Sequence, residues 1–178
     1  MKELIEELDL IFSGELEPCN NRDETHTEDL YNVITEIVGN SIEWSGTQNK
    51  QWILSVKYEK DFVVFSLADV GKGILKTIIK RKQENIFTHL LSKPKIQILE
   101  GAFQRQHGSA SKEDNRNLGL PFIHQKFEEC LLKDLKVVTN NVILCFNDPS
   151  KSIEVDHSIG FKGTLYRWVV DNRLKDFN

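Results

Sequence analysis

Between Trp52 and Leu67 the chain carries two strand patterns separated only by Tyr58-Glu59-Lys60-Asp61. Trp52, Leu54 and Val56 alternate with Ile53, Ser55 and Lys57, the period of a half-buried strand, and Phe62 to Leu67 is a dense apolar run. A link this short closes a hairpin and cannot hold the crossover that parallel strands require, so the pairing must be antiparallel. Further on, Asn140-Asn141 is a tight-turn signal between strand patterns at 135–139 and 142–146, and 164–170 supplies a fifth.

The helical patterns surround these strands. Leu30, Val33, Ile34, Ile37, Val38 and Ser41 recur on one face of a helix running to about Trp44, with Thr27 as its cap, Glu28 and Asp29 in its first turn, and Ser45-Gly46 as its stop. Residues 2–12 place Leu4, Ile5, Leu8, Ile11 and Phe12 at helical spacing, and a loop follows at 13–23. A helix with the basic residues Lys76, Lys80, Arg81 and Lys82 is expected from Ile74 to about Leu91. Residues 103–117 are polar, rich in small side chains and without periodicity, which is long for a connection inside a domain and marks a functional loop. After it, Pro121 suits a first helical turn, and Phe122, Ile123, Lys126 and Phe127 continue that helix. The simplest packing is a two-layer α+β sandwich: five strands in one mixed, mostly antiparallel sheet, with the amphipathic helices on one face.

Length and charge limit the function. A chain of 178 residues suits one domain, expected here over 1–178. At that size ~70% of the unfolded surface is buried without any staple. Net charge is −4, so no general basic field holds nucleic acid or an anionic membrane, and neither is expected as a partner. Cys19, Cys130 and Cys145 are widely spaced and odd in number, the usage of reduced cytoplasmic thiols. The acids of MKELIEELDLIF stand where a signal peptide carries bases.

Three constellations carry chemistry. Glu36 and Asn40 are one helical turn apart on one face, a carboxylate able to position or deprotonate water beside an amide oxygen suited to magnesium. Asp69-Val70-Gly71-Lys72-Gly73 directly follows the second strand; its glycines let backbone approach a ligand, and an Asp at a strand end can accept from an exocyclic amine such as adenine N6. It lacks the third glycine of a dinucleotide fingerprint and the spacing of a Walker loop. Asn117-Leu118-Gly119-Leu120 opens a helix, where free amides and the dipole favour phosphate, with His107, Lys112 and Arg116 upstream as further donors. Taken singly, each reads equally as a solvated helix face, an ordinary turn and a surface loop.

Taken in order they resemble the GHKL superfamily of ATP-binding domains, shared by gyrase-type topoisomerases, heat-shock chaperones, histidine kinases and mismatch-repair ATPases. The resemblance runs from about Glu28 to Val170: EIVGNSIEWSG is similar to the family's N box, ADVGKGI to its first glycine box, NRNLGLPFI to its second, and GTLYRWVV to the strand closing the adenine pocket. It implies a Bergerat-type fold binding ATP with magnesium. In that scheme Glu36 holds or activates water, Asn40 coordinates magnesium, Asp69 accepts from the adenine amine with Thr164 assisting, and Gly71 and Gly73 let backbone pass the base. Residues from about His107 to Leu120, within a lid over about 103–120, cover the phosphates, with Arg116, Asn117, Leu118, Gly119 and Leu120 nearest them. Trp44 stands where relatives often carry His or a base, and Asn115 and Asn117 stand where glycines are usual. The resemblance further implies slow hydrolysis or γ-phosphate transfer to a separate regulatory or substrate protein, or a switch in which ATP orders the lid without turnover.

Overall fold

The long helix is the first element of the computed structural model, which describes residues 24–44, 50–83, 93–104, 119–156, 158 and 160–171. The expected helix at 2–12, the loop at 13–23 and the stop at Ser45-Gly46 lie outside those residues. Helix α1 spans Glu24–Trp44, so it begins three residues before Thr27, the expected cap. Leu30, Val33, Ile34, Ile37 and Val38 are buried along its inner face.

Strands β1 (Trp52–Tyr58) and β2 (Phe62–Asp69) form the expected antiparallel hairpin, closed by the Glu59 amide donating to the Phe62 carbonyl at 2.9 Å. Helix α2 (Ile74–Gln83) follows; the rest of the expected helix, from 84 on, lies outside the described residues. A helix absent from the sequence reading, α3 (Lys95–Phe103), starts behind Pro94 and takes Phe103 from the expected loop. Helix α4 spans Gly119–Glu128, with Pro121 in its first turn as expected. Next come β3 (Lys133–Asn140), β4 (Val142–Cys145), a 3-10 turn at Pro149–Lys151, the two-residue β5 (Ile153–Glu154) and β6 (Phe161–Asp171).

The sheet therefore has six strands rather than five, in the order β1-β2-β6-β3-β4-β5, and every pairing among the described residues is antiparallel rather than mixed. The last long strand inserts at the centre, against β2 on one side and β3 on the other. The additional strand β5 exists because Asn141 holds it: the Asn141 amide group donates to the Val155 carbonyl at 3.0 Å, and the Val155 amide donates to the Asn141 carbonyl at 2.9 Å.

One face of the sheet builds the core. Phe65, Leu67, Leu135, Val137, Leu144, Tyr166 and Trp168 are buried together with α1 and with Leu75, Ile98, Leu99, Phe103 and Ile123 from the other helices. Phe65 and Trp168 lie side by side on neighbouring strands with their rings stacked at 5.2 Å. Among the described residues the helices cover this face and leave the other open, a two-layer α+β arrangement. Lys126 of α4 is buried between Asp29 of α1 at 2.6 Å and Glu129 at 2.7 Å, so an ion pair ties α4 to α1. Among the described residues no helix is long and apolar enough to cross a membrane.

Candidate functional site

At one end of the sheet the inward-facing residues change from apolar to polar. Register places Leu67 beside Tyr166 and Tyr166 beside Val137, and two residues along on those strands stand Asp69, Thr164 and Thr139, all buried. Thr139 pairs with Thr164 across β3 and β6, their hydroxyls 3.4 Å apart. Two elements without strand structure close on this row, the last turns of α1 through Ser41 and the segment 70–73, and the start of α4 meets α1 beside them at Glu36 and Asn40.

Asp69 is the centre of the cluster, 7% exposed. Its Oδ1 accepts from the Gly71 amide at 2.7 Å, and its Oδ2 lies 3.3 Å from the Ser41 hydroxyl of α1. Burial pushes this carboxyl above the usual range, against the opposing pull of the Gly71 amide, Ser41, and the amide and hydroxyl of Thr164. The Ser41 hydroxyl has one proton and sits closer, at 3.0 Å, to the Ile37 carbonyl. At 3.3 Å the Ser41 contact to Oδ2 is longer than the Gly71 contact to Oδ1, so it is the bond an incoming donor would displace most easily.

Gly163 explains how β6 comes this close. Its φ is +118°, and a Cβ built there would lie 1.9 Å from the Asp69 carbonyl oxygen. Only glycine lets the two backbones pass with Thr164 turned toward the carboxyl. The aspartate also acts at a distance: burial, and then the Asp69 charge, push the buried Tyr166 phenol upward.

The segment after Asp69 is clamped by the end of β3. The Ile74 amide donates to the Thr139 hydroxyl at 2.9 Å, and that hydroxyl donates to the Gly163 carbonyl at 3.1 Å. Asn140, at φ 55°, donates to the Lys72 carbonyl at 2.8 Å and accepts from the Lys76 amide at 3.2 Å, so one side chain holds both the loop and the first turn of α2. Asparagine tolerates that left-handed backbone better than other residues with a side chain. Gly73, at φ 81°, lies against this clamp; a Cβ there would come within 2.7 Å of both Thr139 and Asn140.

Glu36 and Asn40 face the start of α4. The Gly119 amide donates to Glu36 Oε2 at 3.0 Å, and the Asn40 side-chain amide lies 4.0 Å from where a Gly119 Cβ would be. The Gly119 amide, expected to donate to phosphate, is thus engaged by Glu36. Asn40 Nδ2 is buried and has no hydrogen-bond partner among the described residues. A half-turn of that amide about its last bond would present the oxygen at the same place.

Among the residues singled out from the sequence, Glu36, Asn40, Asp69, Gly71, Gly73, Gly119, Leu120 and Thr164 all lie on the elements that converge at this end. His107, Lys112, Asn115, Arg116, Asn117 and Leu118 lie outside the described residues, as does the Trp44 side chain. Ser41, Thr139 and Asn140 join the site without having been assigned to it. Thr139-Asn140 reads locally as a strand end, and only the placement of β3 beside β6 makes it a clamp. No group of three His, Cys, Asp or Glu converges as a metal site among the described residues. No protein-family profile matches the chain, and no curated protein matches it either.

Proposed function

We propose that this end of the domain is a Mg-ATP site of GHKL type on a Bergerat-type sheet, and that the protein hydrolyses ATP slowly or passes its γ-phosphate to a separate protein. The observation that carries the reading is the buried Asp69, whose Oδ2 is held only by a long 3.3 Å contact from Ser41 that an incoming amine could displace, beside the Thr164 hydroxyl. Adenine presents such an amine. The donor set suits the rest of the nucleotide too: Asn40 has a buried amide without a partner, and the N-terminus of α4 favours negative charge. In this reading Asn40 turns its oxygen toward magnesium, which would share its other positions with phosphate oxygens and water. Bound magnesium would neutralise charge that develops on the transferred phosphoryl group.

The chain's own groups then divide the work. Asp69 and Thr164 select and orient the base. The Thr139–Asn140 clamp keeps Gly71 and Gly73 where backbone can pass close to it. Glu36 positions water or takes a proton at its carboxylate, while the Gly119 amide fixes the direction of Oε2.

The test is thermal unfolding with ATP, ADP and a non-hydrolysable analogue, with and without magnesium. A ligand held only by the folded state at a hundredfold excess over its dissociation constant adds ~2.7 kcal/mol. A magnesium-dependent rise that disappears in Asp69→Asn is expected, and no rise at millimolar nucleotide would overturn the proposal.

A second reading is favoured by the Gly119–Glu36 contact. A phosphate oxygen competing for that amide would release Glu36 and shift the start of α4, which is a switch without turnover. Glu36→Gln separates the two: loss of ATP turnover with nucleotide binding kept supports the enzyme, and a wild-type protein with no turnover to lose supports the switch.

A further inference from the structure

The face of the sheet that the helices leave open carries its own apolar row. Register aligns Ile53 with Ala68, Ala68 with Leu165, Leu165 with Val138, Val138 with Ile143, and Ile143 with Ile153, so six hydrophobic residues cross all six strands side by side. The row is bare at both ends: Ile53 is 68% exposed and Ile153 47%. Val70, next along from Ile53, is exposed as well. The neighbouring row is polar, running from Ser55 and Ser66 to Arg167 and Lys136. Arg167 and Lys136 share the single carboxylate of Asp134, which leaves that rim with a positive excess. A continuous apolar row with a charged border is a binding surface rather than scattered exposed side chains.

The geometry points to residues 2–12 of the same chain as its occupant, lying as a helix across the strands. Three features of the two partners agree. Leu4, Leu8 and Ile11 advance along a helix by steps of ~6 and ~4.5 Å, close to the ~4.8 Å between strands, so successive apolar residues can sit on successive strands. Ile5 and Phe12 widen that stripe on the same side. Glu7 and Asp9 flank the stripe at roughly 100° on either side, where one of them meets the positive rim, and Glu3, Glu6 and Lys2 lie farther round. Residues 13–23, between this segment and α1, reach up to ~36–40 Å when extended, more than the ~24 Å that six strands span at ~4.8 Å spacing. Tethering holds the segment at millimolar effective concentration, so even a weak contact is occupied.

The test places a thiol in the row of the full-length protein. Ile53→Cys changes an exposed residue and is expected to fold. Its alkylation by iodoacetamide is followed by site-resolved mass spectrometry beside the native exposed Cys130, each rate normalised to that in urea. The introduced thiol is expected to react ~10-fold slower than Cys130, the protection of a face covered about 90% of the time, at every protein concentration. Adding Leu8→Asp is expected to restore the rate of Cys130. A thiol as reactive as Cys130 from the outset overturns the proposal. Protection that grows with protein concentration assigns the face to a second copy, and protection unchanged by Leu8→Asp assigns it to another cover; either also overturns it.

Discussion

Gly163→Ala tests whether the close passage of β6 past Asp69 is what builds the site. The new Cβ would lie 1.9 Å from the Asp69 carbonyl oxygen, where real Cβ atoms keep at least 3.0 Å, and the obstructing atom is backbone. The strands must part by roughly 1 Å, an overpacking cost of ~1–3 kcal/mol. The backbone at φ +118° adds ~1–3 kcal/mol of strain for any residue with a side chain. Together these predict a loss of ~2–6 kcal/mol, out of a total stability on the order of 5–15 kcal/mol. For a chain of this length a mid-range loss of ~4 kcal/mol lowers the melting temperature by ~8–16 °C. Gly39→Ala is the internal control. It lies in helix α1 with nothing within 4 Å of the added carbon, so it should gain ~0.5–1 kcal/mol in helix propensity. Urea unfolding of both variants reads the two signs directly. If Gly163→Ala falls within ~0.5 kcal/mol of wild type, surface-like behaviour is indicated and the argument from close approach is wrong.

The clamp and the carboxyl give further expectations. Asn140→Ala removes the donor to Lys72 and the acceptor for Lys76, and should cost ~1–3 kcal/mol and speed amide hydrogen exchange at 71–76, read by mass spectrometry. Asp69→Asn keeps an oxygen for the Gly71 amide but removes a charge that burial disfavours. Because the folded-state pKa of Asp69 is raised, the wild-type penalty is absent below the unfolded value near ~3.9 and grows as pH rises through the folded value. The variant should therefore be more stable than wild type at pH 7, by a margin that closes toward pH 3, in denaturant titrations at both pH values.

Local pattern revealed the elements that carry a clear period and not those that tertiary contacts create. The β1–β2 hairpin and the Asn140-Asn141 turn were legible because alternation and turn chemistry agree there. Helix α3 was not: Ile96, Leu99 and Phe103 stand at i, i+3 and i+7, but the helix is too short for that period to fill a reading window. At nine residues it depends on packing rather than propensity. Strand β5 is two residues long and rests on Asn141, a contact no window of sequence displays. In the site, Glu36, Asn40, Asp69 and Gly119 were legible through short motifs. Thr139 and Asn140 were not, because they act on residues 64 to 68 positions away, across a sheet order that places β6 between β2 and β3.

That sheet order also accounts for why polar residues are tolerated at this end of the core. The inward face is apolar through Phe65, Leu67, Val137, Tyr166 and Trp168, and an unsatisfied aspartate or threonine beside them would cost ~1–3 kcal/mol each. Asp69, Thr164 and Thr139 escape most of that cost because each finds partners on an element remote in sequence: Asp69 on α1 and β6, Thr139 on β6 and α2. Asn40 does not: its buried Nδ2, near the start of α4, has no partner among the described residues. Among the described residues the buried side-chain atoms without a partner are Asn40 Nδ2 and Trp168 Nε1, and the Ser41 contact to Asp69 Oδ2 is long at 3.3 Å. Stability alone would have favoured apolar side chains at Asn40 and Asp69. In the proposed ATP site that polarity supplies an acceptor for an amine and an amide oxygen for a cation.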